Sequence, residues 1–317
     1  YKQGYRSDVG MDYSRNTNLF PDNSLAWDTI EHNYRKYYLN YNGDRTPVIP
    51  RNLHMIWLGG AVPDKYQRLV DTWRNLHPDW NFKIWNDKDA ENFDLTNKIA
   101  FNKINNLGIK SDILRYEILY RYGGIYADID FECVKPFDDL LYLDFFGGGR
   151  GVTRPLLAEG LMGCNHGNSF MKNIITAINT KQNNLNNNLT ELLKELAWEF
   201  ITKLYLEYIK TTTDKTVLFP DAFFYPMPNS FREEIREDNE ANRSRIYSYI
   251  QPDTYAIHLW YTSWLPKTSS QSTYPIPLNI PTKGHRITYA DGRTKIIRPK
   301  LTRAQRLAKN AKKRKRR

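Results

Sequence analysis

The stretch SDILRYEILYRYGGIYADID, residues 111–130, decides the fold. Leu114, Ile118 and Tyr122 recur every four positions, which puts their side chains on one face of an α-helix. Gly123 and Gly124 follow where a helix C-terminal cap would sit, and Glu117 and Arg121 stand at the i,i+4 spacing of a helix-surface ion pair. IYADI then reads as a strand. It carries Asp128 and Asp130 where an apolar strand would be closing its core. Side chains at i and i+2 of a strand share a face, so these two acids are expected to project together while Ala127 and Ile129 pack behind them. Two carboxylates in one low-dielectric crevice are unfavourable unless a cation neutralises them. Oxygen ligands of this kind suit Mg²⁺ or Mn²⁺ better than Zn²⁺, and such an ion completes its shell with substrate phosphates. The glycines let the backbone turn tightly beside it. Asp-x-Asp also occurs in turns and at exposed edges, so the spacing alone fits a metal-diphosphate site and a solvated turn.

Outward from this stretch, LHMIWL (53–58), VPDKYQRLVDTWRNLHP (62–78, a helix opened by Pro63) and NFKIW (81–85) form a β-α-β unit. LDFFGGG, LLAEGLMG and TVLFPDAFFYP read as further strands, SFMKNIITAI and TELLKELAWEFITKLYLEYI as helices, and YAIHLWYTSW as a last strand running into a loop. Alternating strands and helices predict an α/β fold with a largely parallel sheet, whose ligands collect at the carboxyl ends of the strands. Residues 24–39 place Leu25, Ile30, Tyr34 and Tyr38 at helical intervals, so 1–47 read as an N-terminal helical extension, 48–265 as the main domain and 266–317 as a Pro-rich, basic tail that wraps the surface or frays.

The net charge of +11 comes mostly from that tail: residues 303–317 hold nine Lys and Arg and no acid, which leaves the rest near neutrality. Such a block is either a solvated end or a weak site for an anionic partner. Two cysteines, Cys133 and Cys164, are too few for a disulfide framework or a thiolate metal site. No run of about 18 apolar residues is present to span a bilayer. The chain starts at Tyr1 instead of Met, which is compatible with a trimmed anchor or signal, and Asn188-Leu-Thr and Asn242-Arg-Ser match a glycosylation pattern short enough to arise by chance.

The run KSDILRYEILYRYGGIYADIDFECVKPFDDLL resembles the DxD region of glycosyltransferase family 32, the α1,4-galactosyl and mannosyl transferases, and more distantly the glucosyltransferase domains of large clostridial toxins. IPRNLHMIWLGG, HPDWNFKIWND and IHLWYTSW agree with it in order, so the resemblance covers roughly 48–265. It implies a GT-A (Rossmann-like) fold and sugar transfer from a nucleotide-sugar donor with Mn²⁺ or Mg²⁺, with retention of configuration. By position, Trp57 would flank the nucleotide base, Asp112 and Arg115 would contact the donor sugar, and Tyr126 would line the same pocket. Asp128 would touch ribose and sugar hydroxyls, Asp130 would ligate the metal with His258 opposite, and Ser263 and Trp264 would belong to a loop over the diphosphate. Glu159 falls where the family tends to carry an amide, and its role stays open among nucleophile, electrostatic stabiliser and acceptor contact. The IWLGG run resembles UDP-using relatives, which puts UDP-glucose or UDP-galactose ahead of GDP-mannose as donor. The acceptor is a glycan, protein or lipid hydroxyl.

Duller readings stand beside these. Trp57 fits a core tryptophan, Asp112 and Arg115 an ordinary surface pair, His258 a satisfied core histidine, and Trp264 a packing residue at a strand end. Asp-x-Asp also serves metal-dependent phosphohydrolases, and the tail fits a non-catalytic binding protein whose grip on a polyanion would weaken steeply with salt.

Overall fold

The computed structural model describes residues 23–150, 156–228 and 239–261, together with the backbone of two short strands at 285–288 and 294–297. Six strands form the central sheet: β1 (Asn52–Ile56), β2 (Asn81–Trp85), β3 (Gly124–Ala127), β5 (Phe145–Arg150), β6 (Leu156–Cys164) and β7 (Thr216–Phe219), in the order β2-β1-β3-β6-β5-β7. The β2-β1-β3 and β5-β7 pairings are parallel, and β6 runs antiparallel to both neighbours, so five of the six strands point one way. The predicted α/β class is correct, with β6 as the reversed strand. β1, β3 and β7 are buried along nearly their whole length, as expected of strands covered on both faces.

The β1–β2 crossover is α2 (Gln67–Leu76), after α1 (Asn23–Tyr34) at the start of the described chain. Two short helices, α3 (Asp87–Asn92) and α4 (Lys98–Lys103), precede α5 (Leu107–Tyr122). Asn106 caps α5 by accepting from the Ile109 N–H, and Gly123 ends it with φ 58°. Ile109, Ile113, Leu114, Ile118 and Leu119 are fully buried, each contributing about 1.5–3 kcal/mol by leaving water. The expected Glu117–Arg121 surface pair does not form. Glu117 is buried and accepts from the Thr96 and Asn97 N–H groups, while Arg121 donates to the Asp94 carbonyl. An inward carboxylate that satisfies two loop donors outweighs an exposed pair worth only tenths of a kcal/mol.

Three segments differ from their sequence reading. TELLKELAWEFITKLYLEYI is two helices, α7 (Leu189–Leu196) and α8 (Trp198–Thr211), after α6 (Ser169–Lys181), because Ala197 leaves the helical region at φ −100°, ψ −157°. TVLFPDAFFYP is strand only through Phe219, since Pro220 removes a ladder donor and opens the short helix α9 (Asp221–Phe224). YAIHLWYTSW contributes β8 (Ala256–His258), which joins β4 (Phe131–Cys133) in a separate antiparallel pair; α10 (Glu240–Tyr247) precedes it. In the tail, β9 (His285–Thr288) and β10 (Thr294–Ile297) pair antiparallel. The basic stretch 303–317 lies outside the described residues.

N-terminal to the expected main domain, α1 and the π-helical turn Arg35–Leu39 pack on β7 and α9 through Tyr34 and Tyr38, whose rings meet Phe219 and Phe223 edge-on at 4.8–6.2 Å. Gly124 shows how tightly β3 is set into the sheet: φ is +101°, and a Cβ there would lie 2.4 Å from the Asn52 carbonyl oxygen. Gly124→Ala is expected to cost about 3 kcal/mol, combining backbone strain with overpacking against a strand that cannot yield. A urea-unfolding midpoint equal to that of the parent would contradict this.

Candidate active site

Asp128 and Asp130 do not lie in a strand. β3 ends at Ala127, the Asp128 N–H makes a last sheet-side bond to the Gly160 carbonyl (2.8 Å), and Phe131 N–H donates back to Asp128 (3.0 Å) in the turn before β4. Expected strand alternation is therefore replaced by a turn, which carries both carboxylates out of the apolar ladder while Ala127 and Ile129 stay buried. Antiparallel pairing of Phe131 with His258 then sets the imidazole beside Asp130. Ligand atoms of Asp128, Asp130 and His258 all lie within 4.8 Å of one another.

Each acceptor oxygen of Asp130 has a partner in the segment 258–261. His258 Nε2 is 2.9 Å from Oδ1, Tyr261 N–H donates to Oδ2 at 2.8 Å, and Leu259 N–H donates to the main-chain carbonyl at 3.0 Å. Burial would raise the Asp130 pKa, but His258 and the Tyr261 N–H more than offset it and hold the carboxyl below its usual range. The His258 ring stacks on Phe131 at 4.4 Å and meets Trp260 at 4.0 Å, and its Nδ1 is buried without a hydrogen-bond partner among the described residues. Trp260 has φ +57°, rare for a bulky residue, and is held there by its Nε1–H bond to the Met227 carbonyl. That turn aims Tyr261 N–H back at Asp130.

Asp128 is held from the other side. Tyr126 Oη donates to its Oδ1 at 2.6 Å, and Arg115 Nη2 lies 3.3 Å from the same oxygen. Burial and the neighbouring carboxylate push the Tyr126 pKa well above its usual value against the pull of Arg115, so the phenol keeps its proton and donates. Arg115 also pairs with Asp112 (2.7 Å) and donates to the Glu159 carbonyl (2.8 Å), with its guanidinium 4.5 Å from the Tyr126 ring centroid. Asp112 and Arg115 are not the surface pair that a helix spacing permits, since their side chains are 10% and 5% exposed. Glu159 enters the cluster through its carbonyl, and its side chain is half-buried on β6.

Trp57 stands just past the carboxyl end of β1, half-buried, its N–H bonded to the Trp85 carbonyl and its ring 5.0 Å from Tyr66. Ser263 and Trp264 lie outside the described residues. Sequence reasoning missed Tyr66, Tyr261 and Gly160. A Cβ on Gly160 would come 2.8 Å from Asp128 Oδ2, so this glycine leaves the space the carboxylate occupies; an isolated glycine inside LLAEGLMG was the available signal.

The residues fit a divalent cation. The two carboxylates offer oxygen ligands and the imidazole a nitrogen ligand, all within 4.8 Å of one another. The 2.9 Å between His258 Nε2 and Asp130 Oδ1 is close to the roughly 3.0 Å between adjacent ligands of an octahedral ion with bonds of about 2.1 Å.

A mostly parallel sheet flanked by helices, with an Asp-x-Asp turn and a neighbouring Arg–Asp pair at the strand ends, agrees with the GT-A arrangement that the sequence resemblance implies. Residues 63–145 match the family model described as "Glycosyltransferase sugar-binding region containing DXD motif". Inositol phosphoceramide mannosyltransferase 1 of Schizosaccharomyces pombe is 38% identical over 101 residues, 29% of this chain and 31% of that protein. An uncharacterized glycosyltransferase of Acanthamoeba polyphaga mimivirus is 24% identical over 229 residues, covering 69% of this chain and 85% of its own. The solved PaToxG glycosyltransferase superposes with a TM-score of 0.46 at 18% identity, over 62% of this chain and 81% of that one. The matched stretch spans only 31%, 38% and 29% of the three S. pombe mannosyltransferases. No helix among the described residues is long and apolar enough to cross a membrane.

Proposed function

We propose that this chain transfers a hexose from a nucleotide-sugar donor to a hydroxyl acceptor, with retention of configuration, through a unit spanning 48–265. The observation that carries the reading is the convergence of Asp128, Asp130 and His258 beside the Arg115–Asp112 pair at the strand ends. Asp130 and His258, with Asp128 adjacent, would hold Mn²⁺ or Mg²⁺, which when bound supplies Lewis-acid stabilisation of the leaving diphosphate. Asp128, fixed by Tyr126 and Arg115, is placed to accept from ribose and sugar hydroxyls. Trp57 flanks the base. In a front-face reaction the acceptor oxygen bonds to the anomeric carbon as the carbon–oxygen bond to the diphosphate breaks, and the acceptor proton passes to the departing phosphate oxygen. The Glu159 side chain, a coulombic neighbour of Asp112, would then serve as an electrostatic or acceptor-side group.

The relatives' names move the donor preference. Several are mannosyltransferases, which puts mannose ahead of the glucose or galactose favoured by the IWLGG run. A glycan, a protein and a lipid headgroup are the acceptor classes to compare. The test is a screen of UDP-glucose, UDP-galactose and GDP-mannose with Mn²⁺, reading release of nucleoside diphosphate and free sugar. One donor is expected to turn over, and inorganic phosphate released from nucleotides without sugar would favour a phosphohydrolase instead.

His258→Ala is expected to raise the Mn²⁺ concentration for half-maximal turnover at least about tenfold, with a smaller effect on stability. An unchanged Mn²⁺ titration would reduce His258 to a packing residue of the Phe131–Trp260 cluster.

A further inference from the structure

Tyr261 belongs to two neighbourhoods at once. Its N–H holds Asp130, and its ring meets Tyr66 at 5.9 Å, which in turn meets Trp57 at 5.0 Å. These three rings run from the carboxylate pair to the base-side tryptophan. Lys65 lies over that row, its Nζ 4.8 Å from the Tyr66 centroid and 5.2 Å from that of Tyr261. Pro63 opens the 3-10 turn Asp64–Tyr66, and burial of the Tyr66 side chain fixes the turn against the core.

Arg68 pairs with Glu132, Lys83 with Asp89, and Arg115 with Asp112 and Asp128. Lys65 makes no ion pair with any of the described residues. A lysine held by two ring faces keeps three N–H donors to offer, and an ammonium is a compact point charge suited to phosphate. The carboxylates at the proposed ion site cancel much of a divalent ion's charge, so a bound nucleoside diphosphate retains negative charge that a further cation would balance.

We propose that Lys65 is a donor-binding residue, its ammonium positioned by Tyr66 and Tyr261 to take a phosphate of the nucleoside diphosphate. This rests on the transferase reading of the Asp128–Asp130–His258 site.

Calorimetric titration of the full chain with UDP and with GDP, each in MnCl₂, and with uridine and guanosine, tests it. Lys65→Met is expected to weaken the preferred diphosphate about tenfold, to leave nucleoside binding unchanged and to flatten the salt dependence of diphosphate binding. Lys65→Arg should retain most of the affinity. Diphosphate affinity within twofold of the parent in Lys65→Met, or an equal loss for diphosphate and nucleoside, would overturn the assignment. If the parent chain binds neither UDP nor GDP with Mn²⁺, the transferase reading itself falls, and this inference with it.

Discussion

Asp130→Asn is expected to lower metal-dependent donor turnover by on the order of 10³-fold while leaving the fold intact, because it removes a full charge from the proposed ion site without changing shape. The amide can still accept from Tyr261 N–H and face His258 Nε2, the two contacts that position this side chain. Stability should therefore change by no more than about 1 kcal/mol, the scale of one hydrogen bond altered in kind. Donor hydrolysis across a Mn²⁺ titration, with urea unfolding as the control, separates the two effects. Turnover near the parent level at saturating Mn²⁺ would remove Asp130 from the ion site. Equal losses of activity and stability would make it a structural residue.

Arg115→Ala is expected to be the most damaging change to the chain as a whole. Arg115 is the common partner of Asp112, Asp128 and the Glu159 carbonyl, and burial already pushes the Asp112 carboxyl well above its usual range despite that cation. Truncation leaves Asp112 and Asp128 without their shared charge, a loss on the order of 3–5 kcal/mol for a broken buried pair. It also frees Asp128 from one of the two groups that orient it, so residual folded protein should bind donor poorly. Arg115→Lys should recover part of the stability, since a lysine supplies the charge but not the fork that reaches several acceptors at once. A urea midpoint for the alanine variant within error of the parent would show that the pair is not the anchor its burial implies.

These expectations depend on how the local pattern and the tertiary contacts divide the work. The helix 107–122, its glycine stop and the strand after it were legible because apolar spacing and cap residues act within a few residues of chain. Strand alternation, in contrast, was the wrong reason for Asp128 and Asp130 to meet, since β3 loses its sheet partners at Ala127 and a turn takes over. The break at Ala197 and the stop at Pro220 show the same limit on a smaller scale. A long apolar run reads as one element until packing divides it.

From the amino-acid order alone came the α/β class, the acidic motif and the residue types able to hold a metal-diphosphate, because periodicity and ligand chemistry are properties of neighbouring residues. Tertiary structure decided which distant residues complete the site. β4–β8 pairing brings His258 across 128 positions to Asp130, the strained turn at Trp260 aims an N–H at the same carboxylate, and Gly160 on the reversed strand makes room for Asp128. Such contacts depend on the register between strands far apart in the chain, which no local spacing encodes.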